Sequence, residues 1–229
     1  MFDYERIKAV LWDLDDTLYS RFDAARQTFP GMFKELLYTD KSDEQIAEAV
    51  DYMMTKVHRN SMVHPDAFAA LLEKYPADKP FDHGACLNYY YANISKYARP
   101  FEEQMQVIRE LRQRGIKTAI VTNIIPERIA SQRQKIINLG IAEYFDAIVI
   151  SGEFGIHKPD RRIFDHAAEL LGVSNEECLF VGDDPDSDVA GARNAQMEVL
   201  WLDNWGNDGR FDNDPYVHCV KSVRSYFIN

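Results

Sequence analysis

Three carboxylates stand together near the start of the chain: Asp13, Asp15 and Asp16 in W-D-L-D-D-T, with Thr17 directly behind them. Asp13 and Asp15 are two apart, so an extended backbone brings both side chains to the same side. Like charges that close repel unless a cation or a shared proton holds them. The pattern asks for a metal ion, with one carboxylate left to act as nucleophile and the other as acid and base. A second acidic cluster lies much later, in G-D-D-P-D-S-D from Gly182 to Asp188. Between the two come a hydroxyl and an amide at Thr122-Asn123, apt for holding an anion, and an ammonium at Lys158 in G-I-H-K-P-D. Gathered at one place, these groups describe a magnesium site next to a phosphate site.

Each of these groups sits at or near the end of an apolar run. Strands are expected over 7–13, 117–122 (K-T-A-I-V-T), 147–151 (A-I-V-I-S), 178–182 (C-L-F-V-G) and 198–202. Helices are expected between them: from about Phe101 to the C′ glycine Gly115, from Pro126 to near Gly140, over about 160–171 with Gly172 closing it, and a short one from about Ser187. Strands alternating with helices predict an α/β fold, a Rossmann-like, doubly wound parallel sheet that presents its ligand groups at the carboxyl ends of its strands. The stretch after the first strand breaks this rhythm. Ser42 to Gln45 forms a capping box, followed by Ile46, Val50, Met53, Met54 and Val57 at helical spacing. Pro65 opens a helix bearing Phe68, Leu71, Leu72 and Tyr75, and a third segment near 80–97 carries Tyr89, Tyr90 and Tyr91. Pro30 is expected to break or kink the helix beginning near Phe22. The organisation expected is therefore a core of 1–19 and 98–229 with an inserted α-helical cap domain at 20–97.

Composition narrows the function classes. The chain has 229 residues, 46% of them hydrophobic, enough for a sizeable core. Its 37 acidic against 26 basic side chains give a formal net charge of -11, which argues against a nucleic-acid polymer or an anionic membrane as partner. Cys86, Cys178 and Cys219 are far apart and form no C-x-x-C pair, so neither disulfides nor a zinc cage is expected. No apolar run approaches the ~20 residues that span a bilayer, and the first residues lack the layout of a signal peptide. A cytoplasmic location is expected.

With its residues in this order, the chain resembles the haloacid-dehalogenase-like (HAD) hydrolase superfamily, in its phosphatase branch. D-x-D-x-T at Asp13 to Thr17, Thr122, Lys158 and G-D-x-x-x-x-D at Gly182 to Asp188 match that family's four motifs in order and spacing. The helical insertion resembles its C1 type of cap. The resemblance implies a Mg2+-dependent phosphatase that hydrolyses small phosphomonoesters, of the nucleotide or sugar phosphate class, through an aspartyl-phosphate intermediate. Asp13 is then the nucleophile and Asp15 the acid and base. Mg2+ is held by the Asp13 carboxylate, the Asp15 backbone carbonyl and the Asp183 carboxylate. Thr122 and the Asn123 backbone bind phosphate oxygens, and Lys158 neutralises charge. Asp188 anchors Lys158 or a metal-bound water, with Asp184 as the alternative ligand. A phosphomutase keeps every one of these residues. A 2-haloacid dehalogenase lacks the second catalytic carboxylate of the first motif, so Asp15 disfavours it. A non-catalytic phosphate-binding module needs neither nucleophile nor acid.

Other polar and aromatic groups have plainer readings. Asp16 is assigned no chemistry and is expected to cap the following turn or face solvent. Met53 and Met54 are read as core. At most two of Tyr89, Tyr90 and Tyr91 can share a helix face. His58, Arg59 and His64 read as exposed polar residues, Trp201 as packing, and Trp205 as a candidate for the site's rim. Two positions depart from the family pattern: Ile124 follows Thr122-Asn123 in place of a small residue, and Gln196 stands where relatives often carry glycine, so the turn there is expected to differ.

Overall fold

The computed structural model describes residues 3–57, 61–204, 206 and 209–227. The chain divides into two compact units, Met1–Ser20 with Pro100–Asn229, and Arg21–Arg99. The first strand is β1 (Ala9–Trp12), after which the second unit contributes α1 (Arg21–Leu36), α2 (Asp43–Met54), α3 (Pro65–Lys74) and α4 (His83–Asn93). The first unit resumes with α5 (Glu102–Gln113), β2 (Lys117–Thr122), α6 (Ile129–Leu139), β3 (Ala147–Ile150), α7 (Ser151–Phe154) and α8 (Arg161–Leu171). It continues through β4 (Cys178–Gly182), a π-helical turn (Pro185–Val189), α9 (Ala190–Asn194), β5 (Glu198–Leu202), β6 (Val217–Val220) and α10 (Arg224–Phe227).

The strands form one parallel sheet in the order β3-β2-β1-β4-β5-β6. β1 lies between β2 and β4, and all four of its residues are fully buried, as befits a parallel strand covered on both faces. The chain runs outward from β1 to β3 and then crosses back to β4, so the strand order reverses between β1 and β4. Open α/β sheets bind ligands at such a switch point, beyond the carboxyl ends of the strands. The Asp13 amide donates to the Val181 carbonyl at 2.9 Å and carries the pairing of β1 with β4 to the edge where the first carboxylates emerge.

Helix α8 shows why the layer holds. Ile163, Phe164, Ala167, Ala168 and Leu171 recur at helical spacing and are buried against the sheet, Phe164 meeting Phe180 edge-on at 5.1 Å between ring centroids. Each large apolar side chain so buried contributes roughly 1.5–3 kcal/mol. Asp160 caps the start of α8 by accepting from the Arg162 amide, and Gly172, in the left-handed region, ends it. The turn after α9 has the same left-handed form, and there the residue is Gln196, at φ 67°. Gln196 therefore takes a conformation that glycine adopts most readily, and carries the strain of a side chain in it.

Two expectations are corrected. Pro30 does not break its helix, which runs from Arg21 to Leu36, so of the expected break or kink the break is corrected. A proline costs a helix interior about 3 kcal/mol, whereas burial of Phe29, Met32 and Phe33 together returns more than that. β6 was not expected at all. Its V-H-C-V is short and only half-buried, and it follows a stretch dense in Asn, Asp and Gly, so neither period nor apolar content marks it.

In the helical unit, Ser42 and Gln45 form the reciprocal capping box, and Ile46, Val50, Met53 and Met54 are buried. Tyr90 is buried beside Phe29, at 6.2 Å between centroids, whereas Tyr89 and Tyr91 are half-buried. His64 caps α3, its Nδ1 accepting from the Asp66 amide at 3.3 Å. His58, Arg59 and Trp205 lie outside the described residues. The described cysteines are free thiols, and among the described residues no helix is long and apolar enough to cross a membrane.

Candidate active site

The switch point gathers the predicted groups. Asp13 follows β1, Asp183 follows β4, Asp188 lies in the π-helical turn, and Lys158 comes from the loop between α7 and α8. Lys158 Nζ donates to Asp13 Oδ1 at 2.6 Å and to Asp188 Oδ1 at 2.7 Å. One carboxylate oxygen from each of Asp13, Asp183 and Asp188 falls within 4.8 Å of the other two. All four side chains are buried.

Several local devices hold this cluster. Asp188 Oδ2 accepts from the backbone amides of Asp183 and Asp184, each at 3.1 Å, so the carboxylate folds back over the end of β4. Only glycine leaves room for it: a Cβ on Gly182 would lie 2.4 Å from Asp188 Oδ2. Asp184 caps the helical turn, Oδ1 accepting from the Asp186 and Ser187 amides. Asp188, by contrast, stands in the carboxylate cluster with Asp13 and Asp183 and bonds Lys158. Trp201 is packing with a purpose, its Nε1 donating to the Asp183 carbonyl at 3.1 Å. Asp16 does not face solvent. It is buried, sits at φ 62°, and its carbonyl accepts from Asn204 Nδ2 at 2.6 Å, pinning the loop after β1. Asn123 acts through its side chain: Oδ1 accepts from the Lys158 amide at 2.9 Å and Nδ2 donates to the Lys158 carbonyl at 3.0 Å.

Asp15 and Thr122 are joined by two residues the sequence reading passed over. Gln132 Nε2 donates to Asp15 Oδ2 at 2.9 Å and to Thr122 Oγ1 at 2.7 Å. Lys135 Nζ donates to Asp15 Oδ1 at 2.7 Å and to Gln132 Oε1 at 2.9 Å, and the Tyr19 hydroxyl also donates to Asp15 Oδ1. A signal was there. On α6 the buried stripe is Gln132, Lys135, Ile136 and Leu139, so an amide and an ammonium occupy core-facing positions of an amphipathic helix.

Comparison with known proteins shows the family. The sequence pattern of haloacid dehalogenase-like hydrolases matches residues 7–196. The chain belongs to this family. A glyceraldehyde 3-phosphate phosphatase of Methanopyrus kandleri is 36% identical over 85% of this chain and 83% of its own. An N-acylneuraminate-9-phosphatase of Rattus norvegicus is 29% identical over 95% of this chain and 91% of its own. Among solved structures, the magnesium-bound HAD-hydrolase YfnB of Bacillus subtilis shares the fold, with a TM-score of 0.74 at 20% identity and 97% of each chain covered.

In this HAD-like hydrolase the charges at the switch point are unbalanced. Burial pushes the Asp13 carboxyl up to about 7. Lys158 opposes that shift, whereas Asp188 and Asp15 add to it. Burial also works against the Lys158 ammonium, but Asp13 and Asp188 outweigh it and raise its pKa, so the lysine stays charged. Three buried carboxylates thus face one buried ammonium. An all-oxygen donor set of this kind fits a hard divalent cation.

Proposed function

We propose that this hydrolase is a cytoplasmic, Mg2+-dependent phosphatase of small phosphomonoesters that works through an aspartyl-phosphate on Asp13. The observation that carries the reading is the buried Asp13–Lys158–Asp188 bridge beside Asp183. The phosphatase names of its relatives support it. Phosphate monoester hydrolysis is among the slowest uncatalysed reactions, and enzymes accelerate such reactions by up to ~10²¹-fold, chiefly through alignment and fixed positive charge. Asp13 attacks phosphorus in line, with Lys158 holding its carboxylate in place. Thr122, together with the backbone beyond it at Asn123, receives phosphate oxygens. Asp15 gives a proton to the leaving oxygen and then takes one from the water that cleaves the acyl phosphate. The carboxylates of Asp13 and Asp183 and the Asp15 carbonyl would hold Mg2+, whose charge would offset the repulsion between nucleophile and phosphate. We read Arg21–Arg99 as a C1-type cap and as the element that selects the substrate.

The test is phosphate release from an aryl phosphate with and without Mg2+. The wild type is expected to be active only with the metal, and Asp13→Asn inactive. Equal rates for Asp13→Asn and wild type would sink the reading. Asp15→Asn is expected to lose turnover while still binding Mg2+, which calorimetry measures separately.

A further inference from the structure

We propose that Gln132 and Lys135, one turn apart on α6, are positioning residues that fix the carboxyl group of Asp15 and the hydroxyl of Thr122 in a single arrangement. The inference rests on Asp15 being the acid and base of the reaction. Gln132 is 1% exposed and Lys135 4%. Burying an ammonium costs several kcal/mol unless it is paired, so a core-facing lysine on a helix needs a partner, and Asp15 at 2.7 Å is that partner. Each polar atom of the Gln132 amide is used. Nε2 gives one proton to Asp15 and one to Thr122, while Oε1 accepts from Lys135. The reversed amide would set an oxygen against a carboxylate and an NH2 against an ammonium, so only one orientation is stable. That orientation has a further effect. Because Thr122 Oγ1 accepts from Gln132, its own proton is left to point elsewhere, as a donor to an anion.

Tyr19 completes the arrangement. Its hydroxyl donates to Asp15 Oδ1, and Lys135 Nζ lies 5.3 Å from the centroid of its ring. Donors therefore reach Asp15 from its own loop, through Tyr19, and from α6. A proton carrier misplaced by an ångström loses about 10²-fold, so a constraint on both carboxylate oxygens bears directly on rate.

Leaving-group dependence separates positioning from packing. kcat/KM is measured with Mg2+ for a series of aryl phosphates running from nitrophenyl to phenyl, for wild type, Gln132→Leu, Lys135→Met, Tyr19→Phe and Asp15→Asn. A placed acid matters most when the leaving oxygen is basic. Asp15→Asn should therefore steepen the dependence, with losses at the phenyl end toward the 10²–10⁴-fold that acid catalysis supplies. Gln132→Leu and Lys135→Met should steepen it in the same direction by at least about tenfold across the series, and in an Asp15→Asn background they should add no steepening. Tyr19→Phe removes one hydroxyl and keeps the ring, so it gives a smaller steepening even where the α6 variants fold poorly. Uniform losses across the series for these three variants, alongside a steep Asp15→Asn, overturn the inference and leave Asp15 as the acid. A flat dependence for Asp15→Asn removes the acid role and this inference together.

Discussion

One methyl group tests how the site is built. Gly182 ends β4 without a positive φ, so alanine is acceptable there on backbone grounds, and only space argues against it. An added Cβ would stand 2.4 Å from Asp188 Oδ2, 2.6 Å from its Cγ and 2.7 Å from its Cβ, where ordinary contact begins at 3.4 Å. The carboxylate must retreat by about 1 Å, a displacement that costs about 10²-fold in rate when it reaches the reacting groups. It reaches them through Lys158, which Asp188 holds at 2.7 Å. Overpacking of a tight interior costs about 1–3 kcal/mol, and each weakened bond from the Asp183 and Asp184 amides to an ionised acceptor about 1.5–3. Alanine's advantage over glycine in a strand, roughly 0.5–1 kcal/mol, offsets only a small part of this, so the variant should be clearly less stable than wild type. The assay is denaturant unfolding of Gly182→Ala together with kcat on an aryl phosphate, with the unfolding repeated in an Asp188→Gly background, which removes all three atoms the methyl would meet. There the methyl has room, and its stability cost should vanish. Equal costs in both backgrounds, or a Gly182→Ala protein that matches wild type in stability and rate, would refute the packing argument.

Three further outcomes follow from the structure. The Asp13 carboxyl, raised to about 7 from an ordinary 3.8, binds a proton in the folded metal-free protein that the unfolded chain releases, so its contribution to stability is complete below 3.8 and is lost as pH rises through about 7. Mg2+ must displace that proton, so the increase in melting temperature caused by Mg2+ should be larger at pH 8 than at pH 5; the opposite order would mean that Asp13 is not a ligand. Gln196→Gly should stabilise the protein by about 0.5–1 kcal/mol, because release of left-handed strain exceeds the added freedom of the unfolded chain. An unchanged or lower denaturation midpoint counts against strain at that turn. Lys158→Met should cost activity and also push Asp13 further up, so that Mg2+ binding, measured by calorimetry, releases more protons than in wild type at pH 7.

Parallel strands covered on both faces are continuous apolar runs, which is why β2, β4 and β5 could be bounded from composition alone. The clustering of the candidate site was legible for a related reason, since charged and hydroxyl groups that end apolar runs in an alternating fold meet at one edge. What escaped notice depends on partners distant in sequence. Glu198 opens β5 as a buried carboxylate because Arg6, His218 and Tyr226 all converge on it, and none of the three is near it in the chain. Gln132 and Lys135 share the core-facing stripe of α6, but only Asp15, far away in the chain, explains why polar groups stand there. Pro30 does not break its helix because the local cost of a proline is outweighed by burial on either side of it. Asp184 and Asp188 could not be told apart by type, and only backbone geometry separates the cap from the anchor.

The Asn123 side chain meets the peptide group of Lys158 as a neighbouring strand would, one bond given and one received. It is a surrogate rung, laid where β2 and β3 have already ended. The ammonium that bonds Asp13 is thereby tied to the end of β2 as well as to its own loop. The loop between α7 and α8 can change length or sequence on its outer side without moving the charge.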